Sequence, residues 1–212
     1  MKNKILPILL LFAFQSFALT LEQVKATLAE CVLPRDSIEM NLRVSVKATG
    51  ISQQTDIYLV NKGREKSYTE IKSGFLKQRS IVNGNKMKIT DLNTSKSQIQ
   101  DYNGEALGTD SYAAFHPLDS GEWSEPKFLS DDIYTIQGTI GTLYYNSKKK
   151  RIEKMESDKD GANSWTTFSY DVNNRIQKME TSVVVNGQES VVTTEILRMQ
   201  KSDKIPNSLF DF

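Results

Sequence analysis

The chain has 212 residues, with 27 Lys and Arg against 26 Asp and Glu, one His and one Cys. That length supports one domain with a substantial core, and the near-neutral balance supplies no global field to gather nucleic acid, so that partner class is excluded. A lone cysteine forbids an internal disulfide, and one His with one Cys is a poor zinc ligand set, so no metal or other cofactor is expected.

Residues 1–18 read as a secretory signal. Lys2 and Lys4 form a positive start, Ile5 to Phe14 an apolar stretch, and Ser16-Phe17-Ala18 places small residues before a cut at Leu19. The apolar run is too short for a permanent membrane span. No cysteine follows the cut to carry a lipid, so 19–212 is expected to be a single exported, soluble, unanchored domain.

Thr20 to Val32 has helical period. Leu21, Val24, Leu28 and Cys31 form one apolar stripe, and Thr20 with Gln23 fits a capping box. Glu22 suits the positive end of the helix dipole, and Pro34 ends the element. Cys31 reads as a small buried hydrophobe on that stripe.

From Ile38 the period changes to two. Ile38, Met40, Leu42, Val44, Val46 and Ala48 alternate with polar residues, which predicts a long strand with one apolar face. Further strands are predicted over 55–60, 66–72, 75–82, 86–92 and 95–102. Asn83-Gly84 reads as a hairpin turn with both residues at positive φ.

Between Asn103 and Asp132 the pattern lapses, broken by Gly104, Gly108, Pro117, Gly121 and Pro126. Only Ser111 to Phe115 fits a helical turn. Tyr112, Phe115, Leu118, Trp123 and Phe128 are too many large apolar groups for a disordered segment, so this stretch reads as a lid or plug packed on the sheet.

Strands resume over 133–138, 139–145, 151–156, 164–171, 175–185 and 189–199, with Asn186-Gly187 as a second hairpin turn. Arg151-Ile152-Glu153-Lys154-Met155-Glu156 returns as Arg175-Ile176-Gln177-Lys178-Met179-Glu180, preceded by Tyr145-Asn146 and Tyr170-Asp171. Two copies are too few for a repeat array and read as two similar hairpins in one sheet. The sum is mainly β: one helix, about ten to twelve antiparallel strands and a lid. Such a meander must curl, leaving a concave face that the helix and the lid are available to cover.

Enzyme signatures are lacking. No Gly-rich phosphate loop or Gly-x-Ser-x-Gly elbow occurs, and the single histidine, His116, lies within the lid. Glu156, Asp158, Asp160 and Gly161 begin like a calcium loop. Its twelfth position falls on Thr167, so a hairpin turn is the better reading. Lys148-Lys149-Lys150-Arg151 reads as a solvated hairpin tip or as a contact for anionic headgroups.

The exported start, the capped helix and the long meander from Ile38 together resemble the LolA-like superfamily of periplasmic lipoprotein carriers and related lipid-binding proteins. So do Thr142 to Asn146 followed by a basic turn and Arg151 to Glu156, the stretch from Asp158 to Tyr170, and the closing Lys204-Ile205-Pro206-Asn207-Ser208-Leu209-Phe210. The resemblance implies an unclosed half-barrel whose apolar concavity, covered by helix and lid, takes acyl chains without catalysis. It implies a periplasmic, monomeric protein whose partners are the acyl chains of lipoproteins or lipids and membrane-bound donor or acceptor proteins. The lining would comprise Met40, Leu42, Val44, Val46, Ile57, Leu59, Ile71, Ile81 and Ile89, with Tyr112, Phe115 and Trp123 from the lid. In the carrier a strand arginine tethers the lid. Arg64 is the candidate for that place, with Tyr68 in an alternative register.

Two functions remain open on the sequence: an acyl-chain carrier, and a protein-binding or sensor module whose concavity is filled by its own side chains. Trp165, Phe168 and Tyr170 separate them, because aromatics pointing inward would plug the space, and both parities carry one.

Overall fold

The computed structural model describes residues 19–31, 33–34, 36–103, 115–119, 121–159 and 162–212. The expected signal, Tyr112 and the Ser111–Ala114 part of the expected helical turn lie outside the described residues.

The first element, α1 (Leu21–Ala29), starts where its caps dictate. Thr20 Oγ1 accepts from Gln23 N–H at 3.3 Å, and Gln23 Oε1 accepts from Thr20 N–H at 3.0 Å, which closes the expected capping box. The helix ends earlier than its apolar stripe. The Cys31 N–H bonds to the Leu28 carbonyl, three residues back, so the chain tightens out of α geometry ahead of Pro34. Among the described residues no helix is long and apolar enough to cross a membrane.

Thirteen strands follow among the described residues: β1 (Ser37–Ala48), β2 (Ile51–Lys62), β3 (Lys66–Ser73), β4 (Lys77–Asn83), β5 (Lys86–Asp91), β6 (Ser97–Asp101), β7 (Lys127–Ser130), β8 (Ile133–Gly138), β9 (Gly141–Asn146), β10 (Arg151–Lys159), β11 (Ala162–Tyr170), β12 (Ile176–Val185) and β13 (Gln188–Lys201). All belong to one antiparallel sheet in the order β6-β5-β4-β3-β2-β1-β13-β12-β11-β10-β9-β8-β7. The chain therefore meanders outward from β1 to β6, crosses to the far edge at β7, and meanders back until β13 pairs with β1. The two edges, β6 and β7, are not joined, so the sheet is unclosed.

Strand β7 corrects the expectation of a lid running as far as Phe128. Its four residues do not alternate and follow Pro126, so only pairing with β8 makes them a strand. Phe128 is 63% exposed there and meets Tyr134 edge-on at 5.6 Å between ring centres. The first Asn-Gly turn is also displaced by one residue. Asn83 closes β4 opposite Lys86, leaving Gly84 (φ +62°) and Asn85 as the turn. At the second, Asn186 (φ +51°) and Gly187 (φ +76°) both take the left-handed conformation a tight hairpin demands.

The sequence repeat is a structural one. Ile152 pairs with Tyr145 and Lys154 with Tyr144, so Glu153 is bulged; Ile176 pairs with Tyr170 and Lys178 with Ser169, so Gln177 is bulged at the matching position. Each bulge follows a turn whose last residue is left-handed, Lys150 (φ +55°) and Asn174 (φ +61°).

Register separates the two faces of the sheet, because residues directly opposite on neighbouring strands share a face. On one face Met40, Leu59, Thr69, Ser80 and Ile89 form a row, next to Leu42, Ile57 and Ile71. This is the face that α1 and the segment around Phe115 cover. On the other, Val60, Tyr68 and Ile81 pack under Phe210, joined by Ile205 and Leu209 from the C-terminal segment. Ser202 Oγ donates to the Asn61 carbonyl at 2.6 Å and Lys62 Nζ to the Ile205 carbonyl at 2.6 Å, which pins that segment on the outside.

Candidate functional site

The covered face carries two apolar clusters. One gathers Leu33, Ile38, Met40, Leu42, Leu59, Phe115, Met179 and Ile196 over the middle of the sheet. The other gathers Leu21, Val24, Leu118, Ile136, Leu143, Tyr145 and Ile152, with Trp123 and Leu28 packed against it. Phe168 touches both. The helix thus roofs the β8–β10 side, and Phe115 the β1–β2 side.

Between them lies a partly open apolar cavity of about 130 Å³. Leu28, Met40, Phe115, Ile152, Ile176 and Ile196 supply apolar lining, and Lys25, Asp119, Asn174 and Arg175 add charged and polar groups. Tyr170 stands in its wall, its hydroxyl donating to the Ile152 carbonyl while the Arg151 guanidinium lies 4.7 Å from the ring centre. Burial raises the Tyr170 phenol well above its ordinary range, so it remains a neutral donor. His116 also lines the cavity; burial lowers its pKa while Asp119 opposes this, so the imidazole is neutral near pH 7. Asn174 Nδ2 donates to the Lys149 and Lys150 carbonyls at 3.2 and 3.1 Å and approaches Cys31 Sγ at 3.9 Å. That amide gathers the β11–β12 turn, the β9–β10 turn and the end of α1 at one corner of the cavity. Cys31 is half-buried there rather than fully buried.

Of the residues expected from the sequence, Met40 and Phe115 line this cavity. Leu42 and Leu59 are buried in the adjoining cluster, with Ile57 packed on it, and Trp123 packs beside α1. Val44, Val46, Ile71 and Ile89 share the covered face by register, are half-buried, and belong to neither cluster. Ile81 falls on the outside under Phe210, because it stands opposite Tyr68 and Val60; its neighbour Val82 takes the inward place. Arg64 lies exposed in the β2–β3 turn, and the alternative Tyr68 is buried on the outer face with its hydroxyl 2.8 Å from Glu70 Oε2. Neither reaches the cavity wall. Trp165 points outward and is 37% exposed, whereas Phe168 and Tyr170 point inward.

The lining residues that reading the strands singly missed include Ile152, Tyr170, Asn174, Arg175 and Ile176 from the repeat, besides Lys25 and Leu28 on α1 and Ile196 and Met199 on β13. For the first five the signal was the repeat: the cavity is built where its two copies meet.

No protein-family model matches the chain, and no curated protein matches it in sequence. Among solved structures it is similar to a LolA superfamily protein from Nitrosomonas europaea, at 14% identity and a TM-score of 0.54, over 92% of this chain and 99% of that one. It is similar also to a domain described as an outer membrane lipoprotein-sorting protein from Vibrio parahaemolyticus, at 8% identity and a TM-score of 0.50, over 89% of this chain and 95% of that one. With its open antiparallel sheet, roofing helix and covered apolar face, the chain shares the fold of these two structures, one of which is a LolA superfamily protein.

Proposed function

We propose that this protein is an exported, periplasmic, non-catalytic carrier that takes acyl chains of lipoproteins or lipids onto the apolar face of its half-barrel. The single observation that carries the reading is the apolar cavity between α1, the Phe115 segment and the sheet. The neighbours in fold support it, one of them being described as a lipoprotein-sorting protein domain.

At about 130 Å³ the cavity has the size that holds one benzene-like group, not a long hydrocarbon. Loading therefore requires the roof to move on the Phe115 side, with Phe115 exchanging contacts with the sheet for contacts with the ligand. Each buried methylene contributes about 0.8 kcal/mol, so ten give about 8 kcal/mol before ordering costs. Half-buried Val44 and Val46 extend the apolar strip beyond the roofed part and give the chain somewhere to run.

Native mass spectrometry of the mature protein, before and after incubation with acylated peptides and phospholipid vesicles, tests the reading. Retained or transferable acyl ligands are expected. Their absence across all lipid classes overturns it.

A second reading has its own support. Phe168 and Tyr170 point inward and fill space, and the cavity is smaller than the roughly 300 Å³ of an ordinary ligand pocket. In that reading the protein is a binding or sensor module with a filled interior, and the same spectra show only the bare chain.

A further inference from the structure

The two copies of the repeat place an arginine at the same position, yet the structure uses them differently. Arg151 stacks on Tyr170 and lies 3.6 Å from Glu153. Arg175 lines the cavity, and its guanidinium has no hydrogen bond, ion pair or aromatic partner among the described residues. A second cation, Lys25 of α1, lines the same cavity from the roof; among the described residues its one ion pair is a 3.7 Å contact with Glu22, which is 83% exposed. Against these two cations the lining holds one acid, Asp119, which is exposed. The remaining wall is apolar apart from Asn174, His116, Cys31 and the Tyr170 hydroxyl, which is already bonded.

An apolar hole with two half-exposed cations among its walls has the amphipathic signature of a tail and a head. We propose that the cavity selects a single-chain amphiphile ending in an anion, with the tail against Ile152, Ile176 and Ile196 and the head between Lys25 and Arg175. An uncharged amphiphile leaves those cations with no new partner, and a cationic one is repelled. The planar guanidinium suits a carboxylate or a phosphate equally, since both present paired oxygens. This inference rests on the carrier reading and adds the headgroup chemistry.

Isothermal titration of the mature protein with dodecanoate, lauroyl lysophosphatidylglycerol, 1-dodecanol and dodecylammonium, below their micellar concentrations, tests it. Dodecanoate or the lysophospholipid is expected to bind at least tenfold tighter than the alcohol, and the ammonium weakest; which anion leads identifies the source of the headgroup. Arg175→Gln with Lys25→Gln should erase the preference, bringing dodecanoate and the lysophospholipid down to the affinity of the alcohol. Arg175→Glu alone should reverse the order of dodecanoate and dodecylammonium, and a native circular dichroism spectrum confirms that each variant folds. Equal affinity for all four ligands overturns the headgroup inference while sparing the carrier. Binding of none overturns the carrier and the inference with it.

Discussion

Glu125 Oε2 accepts a 2.8 Å hydrogen bond from the backbone N–H of Leu21, joining the start of α1 to the stretch that leads into β7. The first N–H groups of a helix have no partner within it, and a carboxylate there also meets the positive end of the dipole. The roof helix is thus tied to the far edge of the sheet by one side chain. Glu125→Ala should cost about 1 kcal/mol and speed amide exchange across 21–29, leaving β1 and β13 unchanged. Glu125→Gln, which can still accept, should lie between the two. Unaltered exchange in the alanine variant would show that the helix is held by its apolar face alone.

Trp123 sits over Gly138, to which it is bridged in antiparallel fashion. A Cβ on Gly138 would lie 2.3 Å from Trp123 Cε3 and 2.6 Å from the Glu122 carbonyl, so the indole and its backbone occupy the space of the missing side chain. Gly138→Ala should therefore expel Trp123 at a cost of about 1–3 kcal/mol. In a Trp165→Phe background the emission of the remaining tryptophan should shift to the red. An unshifted spectrum with unchanged stability contradicts this packing.

Glu70 on the outer face gathers Lys72, Tyr68 and Arg79. Burial acts to raise its pKa, but the hydrogen bonds from these three partners outweigh it and bring it down to about 2. A carboxylate with a depressed folded-state pKa contributes stability above its unfolded value of about 4.5, and that contribution fades as pH falls from there towards 2. Glu70→Gln should destabilise by about 1–3 kcal/mol at pH 7. Its melting temperature should converge with that of the parent between pH 4.5 and 2. Parallel melting curves over that range would exclude the carboxylate as the cause.

Phe210 has no exposed surface and fills the outer cluster against Val60, Tyr68 and Ile81. Phe210→Ala should cost about 3–5 kcal/mol. Because it acts on the face away from the cavity, ligand affinity measured well below the variant's melting point should stay within twofold. A tenfold loss would show that the two faces are coupled through the sheet.

The local elements were legible in the sequence because each is set by near neighbours. Thr20 and Gln23 fix where α1 begins, period-two alternation marks β1, and Asn186-Gly187 supplies the left-handed pair its hairpin needs. The expected half-barrel with a roofing helix follows from those elements and from the twist of long antiparallel meanders. Facing was another matter. Ile81 and Val82 are adjacent, both apolar, and differ only in which side of the sheet each meets, which registry through β3 and β2 decides. The strand at Lys127–Ser130 exists only through pairing with β8, and Arg64 and Tyr68 miss the cavity because of a turn and a parity. The cavity lies where Ile152 and Arg175, 23 positions apart, come together under Lys25. Tertiary structure alone decided that, because a side chain's partners across a sheet depend on every register between them, and no short stretch of sequence carries that sum.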